Sequence, residues 1–270
     1  MNLATASPPV GLLLREWRTR RRLSQLDLAC DAEVSTRHLS CLETGRALPS
    51  REMVLRLAER LSVPLRERNR LLVAAGYAPM YAERPLDDPA LLAAREAVEQ
   101  VLRGHEPYPA LAVDRHWNLV SYNRMLPMLF AGLAPQMLQP PVNVLRLSLH
   151  PQGLAPRIAN LAQWRAHLFA RLRQQITASA DPALAALEQE LHALPGPPAN
   201  EAFDTNAVVV PLLFDTVHGR LSLIATTTVF GTPVDITLAE LALETFFPAD
   251  TATAQTLRRL GDGQIAAAAS

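Results

Sequence analysis

The residues best suited to specific chemistry lie in a short polar segment near the N-terminus, T-R-H-L-S-C at residues 36–41. Read as a helix, this segment buries Leu39 and Leu42 and turns its polar side chains to solvent. Hydroxyl, imidazole and guanidinium groups on one helical face can hydrogen-bond to base edges, and an arginine can bind guanine through two such bonds. The pattern predicts a helix that enters the major groove of DNA.

The sequence also predicts the elements that must position this helix. Ser24 caps the helix before it, with Asp27 in the place of a capping-box acid, and Ser35 caps the polar helix itself, which Gly45 ends. Ser50 caps a fourth helix. With an Arg-rich first helix over about 9–22 and a fifth over about 65–75, residues 8–76 are predicted to form a compact five-helix domain.

This segment resembles the Cro/CI-type helix-turn-helix family, also called the xenobiotic-response-element family, whose domain has the lambda-repressor-like fold. With Gln25 as the first motif position, the family's core positions hold Leu28, Ala29, Val34, Leu39 and Leu42. The resemblance covers about 65 residues and extends through E-T-G-R-A-L-P-S. One position departs from the pattern, since Glu33 stands where the family usually has glycine. A left-handed backbone there would cost Glu on the order of 1 kcal/mol.

The resemblance implies how this domain contacts an operator. The third helix enters the major groove, and the N-terminus of the second rests on a phosphate, which Gln25 would contact through its side chain and main-chain N–H. The predicted DNA-binding residues are Gln25, Ser35, Thr36, Arg37, His38, Ser40, Cys41, Arg46 and Arg51. Arg46 and Arg51 would contact flanking phosphates. Two alternatives stay open: the polar row is an ordinary solvated helix face, and Cys41 is a small apolar filler or contacts a thymine methyl, in preference to a redox-sensing role.

Charge and composition divide the chain. Residues 1–75 hold 13 Arg against 8 acidic residues, and residues 76–270 hold 13 Arg against 18. A basic first part followed by an acidic remainder suggests that only the first meets nucleic acid. Two cysteines without a C-x-x-C spacing make a zinc site or disulfide framework improbable, and no cofactor is expected. Without a signal-peptide pattern or a long apolar run, we expect a cytoplasmic protein with no membrane partner.

The remainder of the chain is predicted to hold one larger domain. Residues 77–88 form a linker, residues 89–260 a domain, and residues 261–270 a disordered tail. Helices are predicted over about 88–104, 124–131, 154–177 and 182–193, and a hairpin over A-L-A-V and L-V-S-Y. Three strand-like stretches follow, from 207, 220 and 236, and the third could also be helical by its composition. This order predicts an α+β chain whose second domain is a five-stranded antiparallel sheet with helices against one face.

That order resembles the PAS-like ligand-binding domain of the MmyB-like regulators. The pieces that carry the resemblance are A-V-D-R-H-W-N-L-V-S-Y-N, N-V-L-R-L-S-L-H-P and T-T-V-F-G-T-P-V-D. The resemblance implies a small, largely apolar ligand, with fatty acids as one class. Candidate ligand-binding residues are Asn123, Arg146, His150, Arg157, Asn160 and Trp164. An arginine or histidine would hold a carboxylate. Alternatively, Asn123 caps a helix, His150 braces a turn and the arginines lie in water.

Catalytic motifs are absent from the sequence, including G-x-S-x-G, H-E-x-x-H and a phosphate-binding G-x-x-x-x-G-K. We therefore expect a protein that is not an enzyme. The leading interpretation is a ligand-responsive transcription factor that binds double-stranded operator DNA as a homodimer. An antitoxin-like protein that binds a partner protein, and an enzyme fused to a DNA-binding domain, are the alternatives.

Overall fold

The computed structural model describes residues 8–198 and 209–268. The chain divides into two compact units, one built mainly from the residues up to Glu83 and the other mainly from Arg84 onward. The helices of the first unit are α1 (Val10–Arg20), α2 (Gln25–Asp31), α3 (Thr36–Glu43), α4 (Arg51–Arg60) and α5 (Leu65–Ala74). The predicted five-helix domain is confirmed.

Local signals in the sequence begin and end these helices. Ser24 and Asp27 form a reciprocal capping box at α2. The Ser35 hydroxyl accepts from the His38 N–H at 3.1 Å at the start of α3, and Ser50 caps α4 in the same way. The apolar stripes meet in one core that includes the buried side chains of Leu14, Trp17, Leu28, Ala29, Leu39, Leu42, Leu57, Leu71 and Leu72.

The second unit combines a sheet with seven helices among its described residues. The helices are α6 (Leu92–Gly104), α7 (Pro127–Phe130), α8 (Val144–Leu149), α9 (Leu161–Ser179), α10 (Pro182–Ala193), α11 (Ile236–Ala239) and α12 (Thr251–Ala268). The strands are β1 (Ala110–Val113), β2 (Leu119–Tyr122), β3 (Leu212–Thr216), β4 (Gly219–Val229) and β5 (Ala242–Pro248). All neighbouring strands are antiparallel in the order β2-β1-β5-β4-β3, as the fold class predicted.

At strand β1 both faces of the sheet are covered, whereas the sequence led us to expect helices against one face. Strand β1 is buried at every position. Leu111 faces the larger core with α9, while Ala110 and Ala112 face a smaller cluster with Val98 and Leu102 of α6. A short, continuously apolar strand is typical of two-sided burial.

Several predicted boundaries differ from the structure for tertiary reasons. The helix predicted from residue 154 begins at Leu161, because Ile158 bridges to Phe214 of β3 and the preceding turn is a 3₁₀ segment. Residues 236–247 hold both α11 and β5, where one strand was predicted. Helix α12 spans Thr251–Ala268, and residues 261–270 were expected to form a tail. Part of the stretch predicted as a strand from 207 lies outside the described residues.

Candidate nucleic-acid interface and ligand cavity

Helix α3 presents part of the predicted polar row to solvent. Thr36, Arg37 and His38 are exposed in its first turn, whereas Ser40 and Cys41 are half-buried. Ser40 lies against the helix end, where its carbonyl accepts from the Thr44 hydroxyl at 2.7 Å. The most accessible groups for base contacts are therefore at the N-terminal end of α3, where side chains of a recognition helix reach base edges.

The other predicted DNA contacts fall into two groups. Arg46 and Arg51 are exposed, one just after Gly45 and the other at the first position of α4. The Ser35 hydroxyl is exposed but engaged in the cap of α3. The Gln25 side chain is half-buried and donates to Glu43 at 2.8 Å, so one of its two amide hydrogens is already used, besides which its predicted phosphate contact can use the main-chain N–H.

A buried carboxylate holds the recognition helix in place. Glu43, at the C-terminal end of α3, accepts from Arg18 Nε at 2.6 Å and Nη2 at 2.9 Å. Gln25 at the start of α2 donates to the same carboxylate, and Arg18 also donates to the Leu23 carbonyl at 2.8 Å. One carboxylate thus joins α1, α2 and α3. Sequence reasoning missed this network, because residues 18 and 43 are far apart in the chain.

The electrostatics of this network favour an ionised Glu43. Burial acts to raise the pKa of Glu43, but the hydrogen bonds from Arg18 and Gln25, together with the charge of Arg18, outweigh burial and hold the pKa below its ordinary value. Arg18 also offsets the unfavourable placement of an acid at a helix C-terminus.

The turn between α2 and α3 is strained at the position where the sequence departs from the helix-turn-helix pattern that it resembles. Glu33 has φ +54°, in the left-handed region that favours glycine. It is exposed, so its side chain gains no burial in return. A second tight point is Gly11 of α1: a Cβ there would lie 2.3 Å from the Leu42 carbonyl oxygen. Glycine at this position lets α1 pass close to the end of α3.

The second unit contains an apolar cavity between the sheet and helices α7, α8 and α9. Its volume is about 80 Å³, counted as space open to the centre of a water molecule. The apolar lining comprises Leu111, Trp117, Leu126, Leu129, Phe130, Val144, Leu145, Leu147, Leu154, Ile158, Trp164, Leu168, Leu212, Phe214, Ala225 and Phe246.

Polar groups enter the cavity wall at two places. Arg171 of α9 forms a bidentate ion pair with Glu244 of β5, at 2.7 and 3.0 Å, and donates to the Thr227 hydroxyl at 2.6 Å. The indole N–H of Trp164 donates to the Ser148 hydroxyl at 3.1 Å. Arg171, Glu244 and Ser148 complete the lining among the described residues.

Trp117 forms part of the wall from an unusual backbone conformation. Its φ is +67°, which is a genuine outlier for a bulky residue. The turn is held by Asp114, whose carboxylate accepts from the N–H groups of His116 and Asn118. The Trp117 ring lies 4.9 Å from the guanidinium carbon of Arg171. This stacking keeps Arg171 against the wall.

Of the six predicted ligand-binding residues, Trp164 lines this cavity. Asn123 is buried elsewhere, where its side chain bonds to main-chain groups of Leu102, Tyr108 and Ala110. Asn160 bonds to the main chain at Pro211 and Leu213. Both asparagines bridge segments of the fold and do not contact the cavity.

The three predicted cations also lie outside the cavity lining. Arg146 pairs with Glu190 at 2.7 Å on the surface. Arg157 donates to three main-chain carbonyls and stacks on the outer side of a cavity residue, Phe214, at 4.5 Å. His150 accepts from the Gln152 N–H within its own turn. The alternative in which His150 braces a turn agrees with this contact, whereas both arginines have protein partners and do not simply lie in water.

Sequence reasoning missed Arg171 and Glu244, although each left a signal. Arg171 follows Trp164 and Leu168 at the i, i+4, i+7 spacing of one helical face. Glu244 alternates with Phe246 along a strand, so the two share a face of the sheet. A charged residue on an otherwise apolar face indicates a position where the folded chain must supply a residue of opposite charge.

Comparisons with known proteins agree with both resemblances. Residues 94–260 match the family described as the MmyB-like transcription regulator ligand binding domain, and residues 9–71 match a helix-turn-helix domain. Neither family is enzymatic. No curated protein matches the chain. Within the described ranges, no helix is both long and apolar enough to span a membrane, and no group of three or more His, Cys, Asp or Glu is placed to hold a metal ion.

Proposed function

Since the chain belongs to the family of transcription regulators with an MmyB-like ligand-binding domain, we propose that a small, largely apolar molecule bound in its cavity modulates its affinity for operator DNA. The chain is a DNA-binding regulator with a ligand-binding domain. The proposal adds the nature of the ligand, the site that holds it and its effect on DNA binding.

The observation that carries the proposal is the apolar cavity beneath the sheet. Protein interiors are close-packed, and voids larger than a water molecule are few. A void of about 80 Å³ with almost entirely apolar walls is therefore a candidate binding site for an apolar ligand. Fatty acids or other acyl compounds are the class that the family resemblance suggests, and an alkyl chain suits these walls.

On the DNA side, we propose that Thr36, Arg37 and His38 contact base edges while Arg46 and Arg51 contact phosphates. All five are exposed. Ser40 and Cys41 stay candidates for apolar or water-mediated contacts, since they are half-buried. A single domain of this size covers one half-site, so we also propose a homodimer. Size-exclusion chromatography with light scattering would test the dimer.

The deciding experiment is native mass spectrometry of the purified full chain, followed by organic extraction and measurement of DNA binding. We expect a co-purifying apolar compound whose removal and return change the affinity for DNA selected from random duplexes. The variant Ala225→Phe should exclude the compound by filling the cavity. Val229→Phe on the same strand, at an exposed position, is the matched control.

An empty protein from several expression hosts, with DNA affinity unaltered in Ala225→Phe, would contradict ligand control. A co-purifying protein in place of a small molecule would instead favour the antitoxin-like alternative.

A further inference from the structure

The cavity lining contains one cation among the described residues, Arg171. A free fatty acid is anionic at neutral pH, and its carboxylate must find a counter-charge when it leaves water. The cations that the sequence offered for this role, Arg146, His150 and Arg157, do not line the cavity. Arg171 is therefore the residue of the cavity lining that could supply the counter-charge for a ligand carboxylate.

Arg171 is already neutralised within the wall. Its two terminal nitrogens bind both oxygens of Glu244, and one of them also binds Thr227. The Glu244 side chain is only 5% exposed. A ligand carboxylate that displaced Glu244 would leave a second carboxylate buried and unpaired, and breaking such a pair is strongly unfavourable.

A histidine that contacts the cavity wall adds no counter-charge either. His167 stacks on Trp164 with ring centroids 5.2 Å apart. Burial, and then the positive charge of Arg171, lower its pKa from the ordinary value of 6.5, against a smaller opposing effect of Glu244. Its imidazole is accordingly neutral at neutral pH.

We propose that this cavity selects an apolar ligand with an uncharged hydrogen-bonding end, such as an amide, ester or alcohol, over the corresponding carboxylate. The Arg171–Glu244 pair determines this specificity, because it offers hydrogen bonds but no net charge. The inference rests on the proposed function, since it specifies the ligand class of the same cavity.

Hexanamide and hexanoate form a matched pair of probes. They have the same number of non-hydrogen atoms and differ in charge, and both are short-chain compounds chosen for a cavity of about 80 Å³. Calorimetric titration of the full chain at neutral pH, after organic extraction, should show hexanamide binding at least about tenfold more tightly than hexanoate.

The variant Glu244→Gln tests the origin of this preference. It leaves Arg171 as an uncompensated cation, so hexanoate affinity should rise at least about tenfold above that of the wild type. Glu190→Gln, which alters the surface pair with Arg146, should leave the selectivity unchanged. Because Glu244→Gln removes a buried charge, circular dichroism must show that it folds. The double variant Arg171→Gln with Glu244→Gln removes both charges and should keep the wild-type preference for hexanamide.

The outcomes distinguish an error in the ligand class from an error in the ligand site. Equal or tighter binding of hexanoate to the wild type, or a double variant that prefers hexanoate, would overturn the neutral-ligand inference alone. A folded Glu244→Gln variant without a gain for hexanoate would overturn the role of the ion pair. Failure of both probes to bind saturably, together with no effect of Ala225→Phe on their titrations, would overturn the proposed ligand site itself.

Discussion

The carboxylate of Glu43 should be the largest single electrostatic contribution to the stability of the DNA-binding unit. The Glu43 carboxylate accepts two hydrogen bonds from Arg18 and one from Gln25. Glu43→Gln keeps the shape of this side chain but removes its negative charge. The Arg18 side chain is 12% exposed, so the substitution leaves a largely buried guanidinium without its counter-ion.

Loss of one partner of a buried ion pair typically costs about 3–5 kcal/mol. We expect about 3 kcal/mol here, since Arg18 keeps its bond to the Leu23 carbonyl. Whole domains are stable by roughly 5–15 kcal/mol, so the loss would be a large fraction of the total. DNA binding should weaken in parallel, because the same network holds α3.

Urea unfolding of the full chain, combined with amide hydrogen exchange of peptides from α1 to α3, measures this effect in the first unit. Arg70→Ala is the matched control, since Arg70 is 60% exposed in its pair with Glu67 and should contribute about 0.5 kcal/mol or less. A Glu43→Gln variant that unfolds within about 1 kcal/mol of the wild type would refute the reasoning.

The same carboxylate predicts a dependence on pH. The pKa of Glu43 in the folded protein lies below its ordinary value of 4.5. Its contribution is therefore fully present above about pH 4.5 and is lost as the pH falls through the depressed folded value. Unfolding measured across this acidic range should be less pH-dependent in Glu43→Gln than in the wild type.

Three further substitutions test separate parts of the structure. Arg37→Ala should weaken binding to a selected operator by about 1–3 kcal/mol and relax its sequence specificity, as titration against single-base operator variants would show, and unchanged binding would remove Arg37 from the base contacts. Glu33→Gly should stabilise the protein by about 0.5–1 kcal/mol in urea unfolding by relieving the left-handed strain, whereas Glu33→Ala keeps the strain and should not. Arg165→Met should raise stability by about 1 kcal/mol or more, because Nε and Nη1 of this buried arginine have no hydrogen-bond partner among the described residues; a lower melting temperature would contradict this.

Prediction from sequence worked best where structure is local. The serine caps at residues 24, 35 and 50 and the glycine stop at 45 act within one helical turn, and all are found where the pattern placed them. Helix α10 begins and ends at the predicted residues for the same reason. Prediction was weaker in the second unit, where residues 236–247 divide between a helix and a strand because of pairing with distant strands.

The ligand site shows more clearly which features cannot be predicted from the sequence. Polar residues were chosen for their chemistry in the helical block, yet most of them bind the main chain, and Arg146 pairs with a surface carboxylate. Residue type alone does not distinguish a polar group that lines a cavity from one that joins two segments. Arg171 and Glu244 acquire their role only when helix α9 crosses strand β5.

The sequence by itself determined the helix-turn-helix, its capping residues, the exposed Arg37 and the strained position Glu33, since these depend on side-chain spacing within a few turns. Tertiary structure alone decided which charges meet. Arg18 with Glu43, and Arg171 with Glu244, are 25 and 73 residues apart. Each pair exists because packing of apolar faces brings distant elements together and excludes the water that would otherwise solvate the charges.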